Sequence, residues 1–162
     1  MAISAPHFLE ESEDSEGLKK VIVVDDNEIL LRAWKRILSR EGCLYFTTSN
    51  PEEALERLET VGADLVISDI VMPGMDGFEL VQQIQHLKKK PIIVFTTGYV
   101  CDFKRLKLDL HSENIHVLVK PYNDIQEIGR FIHGLLYENL SQNDPSDILQ
   151  TLDNTHIHLW HL

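Results

Sequence analysis

Apolar positions along this chain come in two alternating textures: short unbroken runs, and longer stretches in which they recur every three or four residues. Val21-Ile22-Val23-Val24 is a β-branched run and predicts a strand buried on both faces. A helical stretch follows from Asn27 to Arg40, with Ile29, Leu30, Ala33, Trp34, Ile37 and Leu38 on its inner side and Gly42 placed to end it. Leu44 to Thr48 predicts a second strand. Asn50-Pro51-Glu52-Glu53 then starts a helix, with Asn as cap, Pro at the first helical position and acids in the first turn; Ala54, Leu55, Leu58 and Val61 mark its buried face. Asp64 to Ser68 predicts the third strand, and Phe78, Leu80, Val81, Ile84 and Leu87 line a third helix. Pro91 to Thr96 predicts the fourth strand, Val100 to Leu110 a fourth helix, and Ile115 to Val119 the fifth strand. The last helix runs from Asn123 to Asn139, with Ile125, Ile128, Phe131, Ile132, Leu135 and Leu136 inward.

Five strands, each followed by a helix, argue for an α/β domain whose parallel sheet is covered on both faces. Right-handed crossovers place every strand C-terminus along one edge, where ligands bind at the point of strand-order reversal. The pattern divides the chain into an acidic lead-in over 1–17, predicted disordered, a domain over 18–140 and a tail or linker over 141–162.

Composition narrows the field of functions. The formal net charge of -11 would be repelled by a phosphate backbone, which argues against direct nucleic-acid binding. Lys88-Lys89-Lys90 reads as the solvated C-terminal end of a helix. Met1 to Gly17 resembles neither a signal peptide nor an anchor, and no apolar run approaches a membrane span. Cys43 and Cys101, in no Cys-x-x-Cys motif, read as reduced packing residues of a cytoplasmic protein. Tyr45 and Phe46 read as core. His156, His158 and His161 lack an acid or cysteine partner and are a weak metal signal beside the packing suggested by Ile157, Leu159 and Trp160.

The chemistry sits at the strand ends. Asp25 and Asp26 follow the first strand, Asp69 the third, Thr96 and Thr97 end the fourth, and Lys120 with Pro121 follow the fifth. Carboxylates about 4 Å apart repel by roughly 4 kcal/mol at an effective dielectric of 20. Such a cluster needs a cation or raised pKa values, and a hard, oxygen-seeking cation fits: Mg²⁺, or Mn²⁺ in its place. Lys120 adds a mobile point charge. A carboxylate nucleophile, a divalent ion, a lysine and a threonine hydroxyl together suit phosphoryl transfer.

Four segments carry a family resemblance: Val21-Ile22-Val23-Val24-Asp25-Asp26-Asn27, Asp69-Ile70-Val71-Met72-Pro73-Gly74-Met75-Asp76-Gly77, Thr96-Thr97-Gly98-Tyr99, and Val119-Lys120-Pro121-Tyr122. From about Lys19 to Leu140 the chain resembles the receiver domain of two-component response regulators. The resemblance implies a flavodoxin-like fold of five parallel strands in the order 2-1-3-4-5. It implies Asp69 as phosphoacceptor, Asp26 as direct metal ligand, Asp25 as a ligand acting largely through water, and the Val71 backbone carbonyl as a further ligand. Lys120 would contact the phosphoryl group, Pro121 would follow it through a cis bond, and Pro73 and Gly77 would shape the site. Counting from Pro91 points to Thr96 as the switch threonine. The Thr-Gly-Tyr context and the spacing to Asp69 and Lys120 point to Thr97, which the reading prefers.

The implied function is a bacterial cytoplasmic, stand-alone phosphorylation switch rather than a turnover enzyme. A sensor histidine kinase or phosphotransfer protein would supply the phosphoryl group, and a downstream protein target would read it, with a homodimer allowed. Phosphorylation would shift the region around the fourth helix and fifth strand. Two departures from the family pattern stand out. Val117 stands where many receivers carry an aromatic three positions before the lysine, which argues against threonine–aromatic coupling. Val71 has no polar side chain to orient a water, so autodephosphorylation is expected to be slow. Two other classes compete. A receiver-like interaction module without phosphate turnover sits poorly with the intact acids and lysine. An aspartyl-nucleophile hydrolase would want a second acid where Val71 stands.

Overall fold

The computed structural model describes residues 17–98, 115–122 and 124–138. Its elements are β1 (Lys20–Val24), α1 (Glu28–Leu38), β2 (Leu44–Thr48), α2 (Pro51–Thr60), β3 (Leu65–Asp69), α3 (Gly77–Ile84), β4 (Ile92–Thr97), β5 (Ile115–Val119) and α4 (Ile125–Tyr137). The strands form one parallel sheet in the order β2-β1-β3-β4-β5. This is the doubly wound, flavodoxin-like arrangement expected from the alternation of runs and helical stretches. β1 lies between β2 and β3, so strand order reverses there and opens a crevice above the ends of β1 and β3.

Each sheet face has its own core. Ile22, Val24, Val66, Ile93, Phe95 and Val117 pack with residues of α2 and α3. Val21, Val23, Leu65, Ile67, Val94 and Leu118 pack with α1 and α4. Successive strand residues alternate between the two clusters, the period-2 signature of a sheet covered on both sides. Cys43, Tyr45 and Phe46 are buried, as expected.

Caps set the helix starts. Asn27 accepts from the Ile29 and Leu30 amides, Asn50 from Glu52 and Glu53, and Asp124 from Gln126 and Glu127. Asp76 and Glu79 form a reciprocal capping box on α3.

Several sequence expectations are corrected. Ile29 is 73% exposed and Leu31 is buried instead, because capping by Asn27 sets the first turn of α1 so that position 31, one turn before Trp34, faces the sheet. Ile125 is exposed as well, being the first residue after the Asp124 cap. The α1 helix stops at Leu38, with Ser39 as its C-cap, and Gly42 takes a left-handed φ of 64° in the turn beyond. Lys88 to Lys90 lie past the end of α3, because the amides of His86 and Leu87 bond three residues back to Gln83 and Ile84 and close the helix early. The predicted helix over Val100–Leu110, Cys101, the 1–17 segment up to residue 16, and the tail with its histidines lie outside the described residues.

Candidate functional site

Asp25 follows β1 directly and is 1% exposed. Its Oδ1 accepts from the Asn27 amide at 2.9 Å, while its backbone N–H donates to the Thr48 carbonyl at 3.2 Å. Asp26, beside it, is exposed. Asp69 is the last residue of β3 and is buried. The three carboxylates converge: one ligand oxygen from each of Asp25, Asp26 and Asp69 lies within 4.8 Å of the others. Lys120, just past β5, places its Nζ 3.0 Å from Asp25 Oδ2 and 3.0 Å from Asp69 Oδ2. Residues separated by most of the chain therefore meet at the switch-point crevice, as the strand-end reasoning requires.

Burial raises the pKa of Asp69. The charge and hydrogen bond of Lys120 oppose the rise, Asp25 adds to it, and the Val71 amide lowers it again. The carboxylate is thus held in a costly environment that a further cation would relieve. The donor set fits a hard divalent ion: three carboxylates, with no thiol or imidazole among them.

The loop after β3 is shaped against the acid. Gly77 is buried, and a Cβ there would lie 2.3 Å from the Asp69 carbonyl oxygen. The Gly77 amide donates to Ile70 O at 3.0 Å, and Ser68 Oγ donates to Asp69 O at 2.9 Å. Val71 and Pro73 are exposed on this loop. The Lys120–Pro121 peptide bond is cis, as expected.

Thr96 and Thr97 end β4, each 1% exposed. Thr96 pairs in register with Asp69, and its carbonyl accepts from the Ile70 amide at 3.0 Å. Its hydroxyl neighbours Tyr122. Thr97 lies on the opposite side of the strand, and its carbonyl accepts from the Lys120 amide at 2.8 Å. The sequence marks Trp34 as an inner residue of α1 and Tyr122 as the end of a motif, with no role for their polar atoms, which are buried beside this site. The signal was present, since a tyrosine directly follows the Lys120-Pro121 pair, but its partner on α1 is revealed only by the fold.

The known proteins agree with this geometry. Residues 21–130 match the response regulator receiver domain family. The alkaline phosphatase synthesis transcriptional regulatory protein PhoP of Bacillus subtilis is 34% identical over 106 residues, covering 65% of this chain and 43% of the relative. Among solved structures, the response regulator TrrA of Thermotoga maritima, in complex with Mg²⁺–BeF, is 34% identical with a TM-score of 0.63, covering 74% of this chain and 100% of that one. A chemotaxis response regulator of Vibrio cholerae is 26% identical with a TM-score of 0.64, covering 74% and 99%. The chain spans about half or less of the length of curated relatives it matches, between 42% and 52% for three of them. With the strand-end acids, the lysine and the strand order all in place, the chain belongs to the response regulator receiver domain family of two-component systems.

Proposed function

We propose that this receiver takes a phosphoryl group on Asp69 and uses the acyl phosphate to switch its protein contacts. The observation that carries the reading is Lys120 Nζ at 3.0 Å from both Asp25 and Asp69, beside a three-carboxylate cluster. The donor is a phosphohistidine on a sensor kinase or phosphotransfer protein. An Asp69 carboxylate oxygen attacks phosphorus, the P–N bond breaks as the P–O bond forms, and the imidazole leaves with a proton. Lys120 stabilises charge on the equatorial oxygens.

Asp25, Asp26, Asp69 and the Val71 carbonyl would hold Mg²⁺, or Mn²⁺ in its place. When bound, that ion would offset carboxylate repulsion and supply positive charge to the phosphoryl oxygens. Gly77, Pro73 and Pro121 shape the loops that carry these groups. Of the two threonines, Thr96 is the one that turns toward the phosphoryl group, a reading favoured by its register with Asp69, Thr97 lying on the opposite side of the strand.

The receiver unit extends over 18–140, with 1–17 and 141–162 as flanking segments. Its target is a downstream protein rather than nucleic acid, in a bacterial cytoplasm. Among the described residues no helix is long and apolar enough to cross a membrane.

Incubation with acetyl phosphate and Mg²⁺ tests the reading by intact mass. One phosphoryl group on the parent, lost with chelator and in Asp69→Ala, supports it. Multiple turnover of small phosphoesters would favour a hydrolase, and a chain inert under all conditions a pure interaction module.

A further inference from the structure

The end of the sheet opposite the acidic site carries the reverse charge. A cleft of about 300 Å³ opens there between the start of β1, the turn after α2, the residue before β3 and the loop leading to β4. Leu18, Lys19, Lys20, Val61, Asp64 and Lys89 line it, so three lysines face one acid. Asp64 Oδ2 accepts from the Lys20 amide at 2.9 Å. Its Oδ1 accepts from Lys89 Nζ at 3.1 Å and lies 3.7 Å from Lys19 Nζ. The Lys20 ammonium donates to the Val61 carbonyl at 3.5 Å. The side chains of Lys19 and Lys89 are 41% and 77% exposed, and an ammonium has three donors, which leaves both with room for a second acceptor.

The chain supplies a countercharge at the rim. Gly17 lines the cleft and takes a left-handed φ of 98°, a turn that glycine makes without strain. The residues leading into it, 10–16, include Glu10, Glu11, Glu13, Asp14 and Glu16 and no basic residue. At about 3.6 Å of chain per residue, even Glu10 is held within about 25 Å of Gly17. The other end of the sheet repels these acids, because Asp25, Asp26 and Asp69 gather there.

The plain alternative is that the lysines are solvated and the acids only add solubility, since one exposed ion pair contributes about 0–1 kcal/mol. Two features argue for more. Several pairs can form at once, and a segment tethered at the rim meets the cleft at an effective concentration on the order of millimolar.

We infer that the lysine-lined cleft at the N-terminal end of the sheet is the docking site for the chain's own acidic segment 10–16, whose carboxylates pair with Lys19 and Lys89. The cleft is at the small end of ligand pockets and takes one or two acidic side chains rather than the whole segment. At about 3.3 Å per strand residue it lies roughly 16 Å along β3 from Asp69. Docking is therefore independent of whether Asp69 accepts phosphate.

Paramagnetic relaxation in the full chain, without a phosphoryl donor, tests this. A nitroxide is attached through Ser12→Cys, with Cys101→Ser leaving only the buried Cys43 beside it. The amide signals of Gly62, Ala63, Asp64 and Lys89 are expected to broaden. Lys19→Gln with Lys89→Gln should reduce that broadening at least about threefold, as should raising salt from about 0.1 M to about 1 M, which shortens the Debye length from about 10 Å to about 3 Å. Glu10→Gln, Glu11→Gln, Glu13→Gln, Asp14→Asn and Glu16→Gln together should do the same without touching the folded domain. Broadening unchanged by either set of substitutions reflects the tether alone and overturns the proposal. Broadening that passes from nitroxide-bearing chains to ¹⁵N-labelled chains without nitroxide assigns the cleft to a second copy, and overturns it too. So do cleft signals that respond to inorganic phosphate but not to neutralising the segment, which would make the cleft a free-anion site.

Discussion

The ammonium of Lys120 lies 3.0 Å from Asp69 Oδ2, an ion pair that passes over β4 to join the end of β5 to the end of β3. A charge so placed stabilises a phosphoryl group on Asp69 more than it stabilises the free carboxylate, because the transition state spreads charge over more oxygens. Lys120→Met should slow phosphoryl uptake from acetyl phosphate by about 10²-fold, measured as the rate of appearance of the phosphorylated mass. An unchanged rate would remove Lys120 from the chemistry.

The same acid is a burden on the fold. Burial raises the Asp69 pKa and Asp25 adds to the rise, so in metal-free buffer at neutral pH Asp69→Asn should stabilise the chain by roughly 1 kcal/mol, or about 2–4 °C in Tm. Mg²⁺ should then raise the Tm of the parent by mass action and that of Asp69→Asn far less. Thermal melts with and without chelator check both halves.

Gly77 answers to sterics rather than charge. A Cβ at this position would sit 2.3 Å from the Asp69 carbonyl oxygen, so backbone must shift to admit it. Gly77→Ala should cost about 1–3 kcal/mol and weaken beryllofluoride binding at Asp69, read by denaturant melts and ligand titration. A neutral result in both would show that the loop can yield.

Asp64 supplies a pH dependence far from the site. Burial pushes its pKa up, but the Lys20 amide and the Lys89 and Lys19 ammoniums outweigh that, and the net pKa is lowered. A depressed folded pKa contributes stability above the unfolded value and loses it as pH falls through the folded one. Asp64→Asn should therefore destabilise the chain by about 0.5–1 kcal/mol at neutral pH. The difference should vanish in acid, below the folded pKa, in melts across that range.

Val71 is 56% exposed at the mouth of the site and offers no polar group to a hydrolytic water. The phospho-Asp69 lifetime should be long, and Val71→Asn should shorten it. Decay within seconds in the parent would contradict this.

Much of this was legible in the sequence because strand ends announce themselves. Continuous apolar runs marked β1 and β3, and the polar residue ending each run had to lie on the common edge of a parallel sheet. The meeting of Asp25, Asp26, Asp69 and Lys120 was therefore legible without coordinates, whereas the choice between Thr96 and Thr97 was not, because it depends on strand register. Helix faces were read less well where local capping outvotes periodicity: Ile29 and Ile125 look like inner residues until Asn27 and Asp124 fix the first turns. The Trp34–Tyr122–Thr96 grouping was not visible at all, since it joins elements through side-chain directions that neither period nor motif specifies.

The most direct measurement of the central claim is chemical mapping of the acceptor. The chain is phosphorylated with acetyl phosphate and Mg²⁺ and reduced with tritiated borohydride, which converts an aspartyl phosphate to labelled homoserine, and the peptides are then sequenced. The account predicts label at position 69 alone, absent when Mg²⁺ is chelated. Label at any other residue, or none in the presence of Mg²⁺, would contradict it.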